Sequence, residues 1–252
     1  MKLSEEMKNK TLLSFELFPP KTEKGLQNLP GTIDHLMKYN PSYISCTYGA
    51  GGGNVGANRE VCQMIKNAGT TPVTHFTVIK NTKEGIKEQL DQYLADGVDH
   101  MLALRGDIPL GETTTCGDFD YATDLVKFVR DTYGDKFEIA VAGSPEGHIS
   151  CRSLESDIAV LKQKQDNGAD YIMTQLCWDM EQFKYWLDAI RKAGVTMPVD
   201  VGVMPILDQA ATINMALSRN GCVMDSELCR LISRNWLFPN PFAAKDADGK
   251  PF

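Results

Sequence analysis

A regular alternation of short, β-rich apolar runs with segments of helical periodicity constrains this chain more than any other feature. The runs recur about every thirty residues, which is the length of one strand with its following helix. Seven runs are predicted strands: Leu12–Leu17, Tyr43–Thr47, Pro72–Ile79, His100–Leu104, Phe137–Ala142, Tyr171–Thr174 and Val199–Val203. Because strand and helix alternate strictly, we expect a parallel sheet covered by helices, in a (β/α)₈ barrel of the TIM type.

Glycines mark the ends of the predicted helices. Each of five follows an apolar helical stripe and precedes the next strand: Gly69, Gly97, Gly134, Gly168 and Gly194. Seven βα units are predicted, followed by an additional helix near Asp225–Arg234. We expect a single barrel domain over residues 1–252, with an N-terminal segment at 1–10 and a loop-like end at 240–252. No run before Phe252 supplies the eighth strand that a closed barrel needs, so that strand is expected to be missing.

Composition and charge exclude several classes of function. Hydrophobic residues make up 42% of the 252, enough to bury one sizeable core. The formal net charge is −7 and the basic residues are scattered, which argues against a nucleic-acid surface. The start of the chain is charged throughout and no stretch approaches the ~20 apolar residues of a membrane span, so a cytoplasmic protein is expected. Seven cysteines without a C-x-x-C pair predict reduced thiols rather than disulfides or a metal site.

Polar side chains follow the predicted strands one after another. Active sites of such barrels lie at the carboxyl ends of the strands, so these residues are the first functional candidates. They are Glu16, Thr47, His75, Arg105 with Asp107, Ser144 with His148, Gln175, and Asp208 with Gln209.

Glu16 lies among apolar neighbours, with Phe15, Leu17 and Phe18 around it. An apolar surround raises a carboxyl pKa by desolvation, which would make Glu16 a general acid near neutral pH. The alternative is an exposed acid at a strand end. Arg105, Gly106 and Asp107 are predicted to form a tight turn after the fourth strand, either as ligand-binding groups or as a salt-bridged loop. Asp157 and Lys164 are seven residues apart and therefore share a helix face. The alternative to a ligand-binding role is that this face is simply a charged, solvated edge of the helix.

A glycine run at 51–56 contains a literal G-x-G-x-x-G between a strand and a helix. A dinucleotide-binding fold of the Rossmann type is therefore an alternative. That fold also needs an acid at the end of the next strand to hold the ribose, and Val73–Ile79 contains none. A glycine-rich βα loop is the better interpretation.

Several motifs together resemble one enzyme family. They are Ser-Phe-Glu-x-Phe-Pro-Pro-Lys from residue 14, Thr-Tyr-Gly-Ala at 47–50, His75, Leu-Arg-Gly-Asp-x-Pro from residue 104, Pro-Glu-Gly-His at 145–148 and Thr-Gln at 174–175. In order and spacing this set resembles the methylenetetrahydrofolate reductases along essentially the whole chain. The resemblance implies a barrel that binds FAD and reduces 5,10-methylenetetrahydrofolate to 5-methyltetrahydrofolate by hydride transfer, in one-carbon metabolism and methionine biosynthesis.

The resemblance also implies roles for individual residues. Glu16 would be the acid that opens the folate ring, Asp107 would lie between flavin and pterin, and Gln175 would bind the folate. The flavin would be held by Thr47, His75, Arg105, Gly106, Asp107, Tyr121, Ala122, His148, Asp157 and Lys164. The electron donor would be NADH, NADPH or a redox protein.

Three features depart from the family pattern. Ser144 stands where many members have Tyr, and Gln209 where an aromatic residue often follows the seventh strand. The C-terminal segment that supplies the eighth strand and a substrate-binding Arg is not found. Two alternatives are therefore kept. One is a non-catalytic barrel subunit that needs a partner chain, and the other is a homo-oligomer of this chain.

Overall fold

A computed structural model describes residues 2–20, 22–48, 55–108, 111–217 and 222–237, with the side chains of 55, 56, 217 and 235–237 not described. The chain divides into two compact units. The larger unit comprises Met1–Ala142, Val160–Met173 and Val195–Asp200. The smaller unit comprises Gly143–Ala159, Thr174–Gly194 and Val201–Phe252.

Seven strands of the described chain form one parallel sheet, and its strands are adjacent in the order of the sequence. They are β1 (Ser14–Leu17), β2 (Tyr43–Cys46), β3 (Thr71–Thr77), β4 (His100–Leu104), β5 (Glu138–Gly143), β6 (Tyr171–Thr174) and β7 (Val199–Asp200). Each coincides with a predicted run, so the seven-strand prediction is confirmed. Only β7 is clearly shorter than expected. The chain leaves the sheet after Asp200, and the backbone N–H of Gly202 donates to the Thr174 hydroxyl instead (2.9 Å).

Helices alternate with the strands. They are α1 (Leu3–Glu6), α2 (Glu23–Met37), α3 (Val55–Asn67), α4 (Lys83–Ala95), α5 (Ala122–Tyr133), α6 (Leu154–Asp166), α7 (Met180–Lys192), α8 (Gln209–Leu217) and α9 (Ser226–Leu237). The predicted additional helix is α9, whereas α1 and α8 are not predicted by apolar periodicity. All five glycines expected at helix ends have positive φ, which glycine adopts without steric cost.

The interior of the larger unit shows that the sheet is curled. One buried cluster contains Leu3 of α1 and one inward residue from each of strands β2 to β6: Tyr43, Val73, Leu102, Ala140 and Tyr171. At the edges of the sheet, the Ser14 hydroxyl of β1 donates to Asp200 Oδ2 of β7 (3.1 Å). The first and last strands therefore meet through side chains, and the fold is of the TIM-barrel type with seven βα units.

Helix α1 plugs this interior and is held by a single carboxylate. The backbone N–H groups of Leu3 and Ser4 each donate to Glu138, at 2.7 Å. The Glu138 carboxylate also pairs with His100 Nε2 (2.9 Å), and His100 Nδ1 lies 2.6 Å from Asp99. Burial alone would raise the pKa of Glu138, but the hydrogen bonds from His100, Ser4 and Leu3 lower it to about 2.

None of the helices described here has the length and apolar character needed to cross a membrane. The described residues include all seven cysteines, and none of them is in a disulfide; Cys46 is fully buried, as expected of a small core residue. Within the described ranges no cluster of three His, Cys, Asp or Glu side chains could hold a metal ion.

Candidate functional site

In the larger unit, Glu16 and His75 lie side by side in the barrel interior. Glu16 Oε2 on β1 is 3.6 Å from His75 Nε2 on β3. Side chains in one layer of a TIM barrel come from alternate strands, and β1 and β3 satisfy that rule. Two of the residues predicted from strand ends are thus brought together.

Two further polar residues, Ser45 and Thr77, face the same interior. Ser45 is the register partner of Glu16 on β2, and Thr77 lies two residues after His75, on the same face of β3. The Ser45 hydroxyl, His75 Nε2 and the Thr77 hydroxyl are buried, and none has a hydrogen-bond partner among the described residues. An unpaired buried polar atom costs about 1–3 kcal/mol, so these three atoms suit a polar ligand.

Sequence reasoning missed Ser45 and Thr77 because both are uncharged residues inside apolar runs. The available signal was strand alternation. Ser45 lies two residues before Thr47, and residues two apart share a face of the strand.

Burial shifts the protonation of the Glu16–His75 pair toward neutral forms. Desolvation raises the pKa of Glu16 and lowers that of His75 to about 4. The Glu16 side chain is still 46% exposed, so a substrate can reach the carboxyl. The raised pKa predicted from the sequence is confirmed, but its cause is different. Phe18 is 71% exposed, and Phe15 and Leu17 lie on the opposite face of the strand, so the desolvation comes from the barrel interior.

The turn after β4 presents Arg105 and Asp107 without pairing them. Gly106 has φ +85°, and a Cβ there would lie 2.7 Å from Ile79 Cγ1. Arg105 Nε donates to the Gly106 carbonyl (3.3 Å), and Asp107 is exposed. Neither side chain is in an ion pair with a described residue, so a salt-bridged loop is not supported. The remaining guanidinium N–H groups suit an anionic ligand.

Other predicted residues of the larger unit lie at strand or helix ends. Thr47 follows β2, and its N–H donates to the Leu17 carbonyl (2.9 Å). Tyr121 is exposed at the start of α5, with Ala122 as the first helical residue. Lys164 of α6 reaches the end of β5, where its ammonium donates to the Ala142 carbonyl (2.9 Å).

In the smaller unit, Asp157 and His148 are brought together. The N–H of His148 donates to Asp157 Oδ2 (3.2 Å), and Cys151 Sγ lies 3.5 Å from Oδ1. Asp157 therefore orders the loop after β5 and is not merely part of a solvated helix edge. Gln175 directly follows β6, and its N–H donates to the Gly143 carbonyl (2.8 Å).

A cavity of about 470 Å³ lies in the smaller unit, with His148, Cys151, Gln182, Cys222 and Glu146 among its lining residues. Glu146 accepts a hydrogen bond from the Val223 N–H (2.7 Å), and burial raises its pKa. Glu146 is part of a recognised motif but was not predicted as a site residue.

Two of the sequence-predicted features are not part of the site described here. Asp208 caps α8, since its carboxylate accepts the Ala211 N–H (2.6 Å), and β7 ends well before it at Asp200. Asp208 and Gln209 are therefore at a helix start rather than at a strand end. The glycines at 51–53 lie outside the described residues, and so does Asn54.

Comparison with known proteins decides the family. The family model for methylenetetrahydrofolate reductase matches residues 2–227. The chain belongs to the methylenetetrahydrofolate reductase family. It is 37% identical over 219 residues to methylenetetrahydrofolate reductase (NADH) 1 of Arabidopsis thaliana, covering 82% of this chain and 37% of the relative. It is 33% identical over 202 residues to the 5,10-methylenetetrahydrofolate reductase of Escherichia coli, covering 80% of this chain and 67% of the relative.

The chain thus spans little more than a third of its plant relatives in the methylenetetrahydrofolate reductase family. Among solved structures, it resembles a Clostridium thermocellum protein reported to bind two copies of 5-methyl-5,6,7,8-tetrahydrofolic acid. The TM-score is 0.65 at 14% identity, covering 92% of this chain and 79% of that one. At that identity the likeness supports the fold alone.

Family membership confirms the resemblance read from the motifs. The Rossmann alternative is wrong, because a doubly wound sheet reverses its strand order whereas β1 to β7 are adjacent in sequence order. The roles of the individual residues stay predictions.

Proposed function

We propose that this chain reduces 5,10-methylenetetrahydrofolate to 5-methyltetrahydrofolate with FAD as its cofactor, in one-carbon metabolism. One observation carries the proposal. In this chain, which belongs to the reductase family, the Glu16 carboxyl is reachable and has a raised pKa. It lies beside buried polar atoms that have no hydrogen-bond partner among the described residues.

The residues present fit a flavin. The hydroxyls of Ser45 and Thr77 and the imidazole of His75 offer hydrogen bonds to a polar ring edge. Arg105 offers its guanidinium N–H groups to a phosphate. When bound, the flavin would supply the two-electron reduction, and the protein would supply orientation, exclusion of water and a proton.

The flavin contacts that we propose follow the family resemblance. In the larger unit they are Thr47, His75, Arg105, Gly106, Asp107, Tyr121, Ala122 and Lys164. In the smaller unit they are His148 and Asp157, with Gln175 as a folate contact. Hydrogen bonds support fixed positions for several of them. The N–H of His148 donates to the Asp157 carboxylate, and the Lys164 ammonium donates to the Ala142 carbonyl in β5.

Glu16 would act as the general acid. Its proton goes to the folate ring nitrogen that leaves, and the C–N bond breaks with the electron pair on that nitrogen. The methylene carbon is then electrophilic enough to be reduced. A pKa raised by desolvation keeps more of the acid protonated at neutral pH than an exposed glutamate would be. Asp107 would contact the reacting rings.

The electron donor would be NADH, NADPH or a reduced redox protein, and the plant relatives' names favour NADH. A cytoplasmic location is part of the same proposal, and cell fractionation tests it.

The experiment that tests the function starts from protein purified with added FAD and desalted. We expect a flavin spectrum in the protein fraction and release of FAD on denaturation. Folate reduction is then measured with NADH and NADPH in turn. A protein that retains no flavin and reduces no folate would contradict the proposal.

A partner-dependent barrel subunit is the second candidate, because an apolar row is exposed after β7. Val201, Val203 and Leu207 are 36%, 78% and 74% exposed and alternate along the chain. Such an exposed apolar row is a surface against which another protein chain can pack. Full activity of the purified monomer would exclude this candidate.

A further inference from the structure

Asn58 on α3 connects the ends of two strands through one buried amide. The residue is fully buried. Its Nδ2 donates to the carbonyls of Cys46 (3.0 Å) and Thr47 (3.1 Å). Its Oδ1 accepts from the Thr74 hydroxyl (2.8 Å) and the Tyr93 hydroxyl (2.6 Å). Both amide donors and both acceptor positions are thus used.

The carbonyl bonds fix the point where the chain leaves β2. Cys46 is the last residue of β2, and Thr47 is the first residue after it. A buried carbonyl without a partner costs free energy comparable to a lost hydrogen bond. Asn58 supplies that partner, and so it holds the backbone that carries the Thr47 side chain.

The Thr74 bond fixes the neighbouring strand. Thr74 and His75 are consecutive on β3, so their side chains point to opposite faces. Thr74 faces α3, where Asn58 accepts its hydroxyl, and His75 faces the interior beside Glu16. A shift of Thr74 would therefore move the His75 ring relative to the Glu16 carboxyl.

We propose that Asn58 is a positioning residue that sets the places of Thr47 and His75 for cofactor binding, although it contacts no ligand itself. This inference rests on the proposed function. The reason is geometric. One rigid amide hydrogen-bonds to β2 and β3 at the two residues next to the predicted contacts.

The test compares Asn58→Asp with Val61→Ala. Asn58→Asp keeps the size but places an oxygen against two carbonyl oxygens. Val61 is buried on the same helix, so its truncation destabilises α3 without removing a hydrogen bond. FAD binding is measured by flavin fluorescence titration, and melting temperatures are recorded for both variants.

We expect Asn58→Asp to raise the Kd for FAD at least ~10-fold, the effect of losing one buried hydrogen bond. Val61→Ala should change Kd by less than about 2-fold at a comparable loss of melting temperature. Equal effects of the two variants on Kd, or an unchanged Kd in Asn58→Asp, would overturn the inference.

Histidine NMR of the flavin-free protein provides an independent measurement. The chain has four histidines, and His75→Gln assigns the His75 ring signal. We expect that signal to move in Asn58→Asp and to stay in Val61→Ala. If wild-type protein binds no FAD, the proposed function fails, while an unmoved His75 signal overturns the positioning role itself.

Thr74→Val provides a milder perturbation if Asn58→Asp does not fold. It keeps the side-chain shape and removes the hydroxyl, whose shorter hydrogen bond is to Asn58 Oδ1 (2.8 Å) and whose longer one is to the His75 carbonyl (3.2 Å). We expect a shifted His75 signal and a smaller rise in Kd. If both stay at wild-type values, Asn58 does not position β3 and the inference fails.

Discussion

Replacing Glu138 with Gln should release the α1 plug from the barrel interior. Glu138 is buried, at 3% exposure, and its carboxylate is shared by the N–H groups of Leu3 and Ser4 and by His100. A neutral amide can accept only part of these hydrogen bonds, and its NH₂ group would face donors. We therefore expect the variant to lose stability without losing the fold of the sheet.

The size of the loss follows from the contacts. Removing one partner of a buried, hydrogen-bonded ion pair costs about 3–5 kcal/mol. The pKa gives a second route to the same number. A shift of Glu138 from 4.5 to about 2 corresponds to about 3 kcal/mol, at 1.36 kcal/mol per pKa unit. The two routes describe the same interaction and are not added.

The same network predicts how stability depends on pH. The Glu138 contribution is fully present above pH 4.5 and is lost as pH falls toward about 2, because the folded-state pKa is depressed. Burial alone would lower the pKa of His100, but Asp99 and Glu138 outweigh it and raise that pKa to about 9. Its contribution is present below pH 6.5 and is lost as pH rises through about 9. Stability should therefore be greatest between these two limbs, and Glu138→Gln should reduce the acid limb and the part of the basic limb that depends on Glu138, while Asp99 still pairs with His100.

Urea unfolding followed by circular dichroism at several pH values measures these effects. Glu5→Gln is the matched control, because Glu5 is also on α1 but pairs with Lys8 at the surface (2.7 Å). Its loss should be below about 1 kcal/mol. Equal losses in the two variants, or an acid limb as steep in Glu138→Gln as in wild type, would refute the reasoning.

Two further predictions follow from the described residues. Gly106→Ala should destabilise the protein by about 2–4 kcal/mol, because φ is +85° and the new Cβ meets Ile79 at 2.7 Å. Gly111→Ala, with φ +91° and no described atom within 4 Å of the new Cβ, should lose only the backbone cost of about 1–2 kcal/mol. Thermal melts decide between them, and equal losses would show that the Ile79 contact does not matter. Val203→Lys with Leu207→Lys should reduce self-association in light scattering, because both side chains are largely exposed, while Val160→Lys should not. A wild-type protein that is monomeric at all concentrations would contradict this.

The sheet could be predicted from the sequence because each strand is an apolar run bounded by punctuating residues. Helix α1 could not, because four residues are too few to show periodicity and its anchor, Glu138, is 135 residues away in the chain. Long-range contacts of this kind are invisible to local patterns.

The candidate site was predictable where it depends on charge. Glu16, His75, Arg105 and Asp107 stand out because a strand end rarely needs them for packing. Ser45 and Asn58 did not stand out, because their roles depend on which buried atoms they face. Asp208 was assigned to a strand end because β7 was expected to extend to Val203.

The most direct test of the central claim is a stopped-flow measurement of Glu16→Gln in two half-reactions. Protein with bound flavin is first reduced by its electron donor and then mixed with 5,10-methylenetetrahydrofolate without oxygen. We predict that the variant binds and reduces flavin like wild type but reoxidises with folate at least ~100-fold more slowly, because it lacks the acid proton. Reoxidation of the variant at the wild-type rate would contradict the assignment of Glu16 as the general acid.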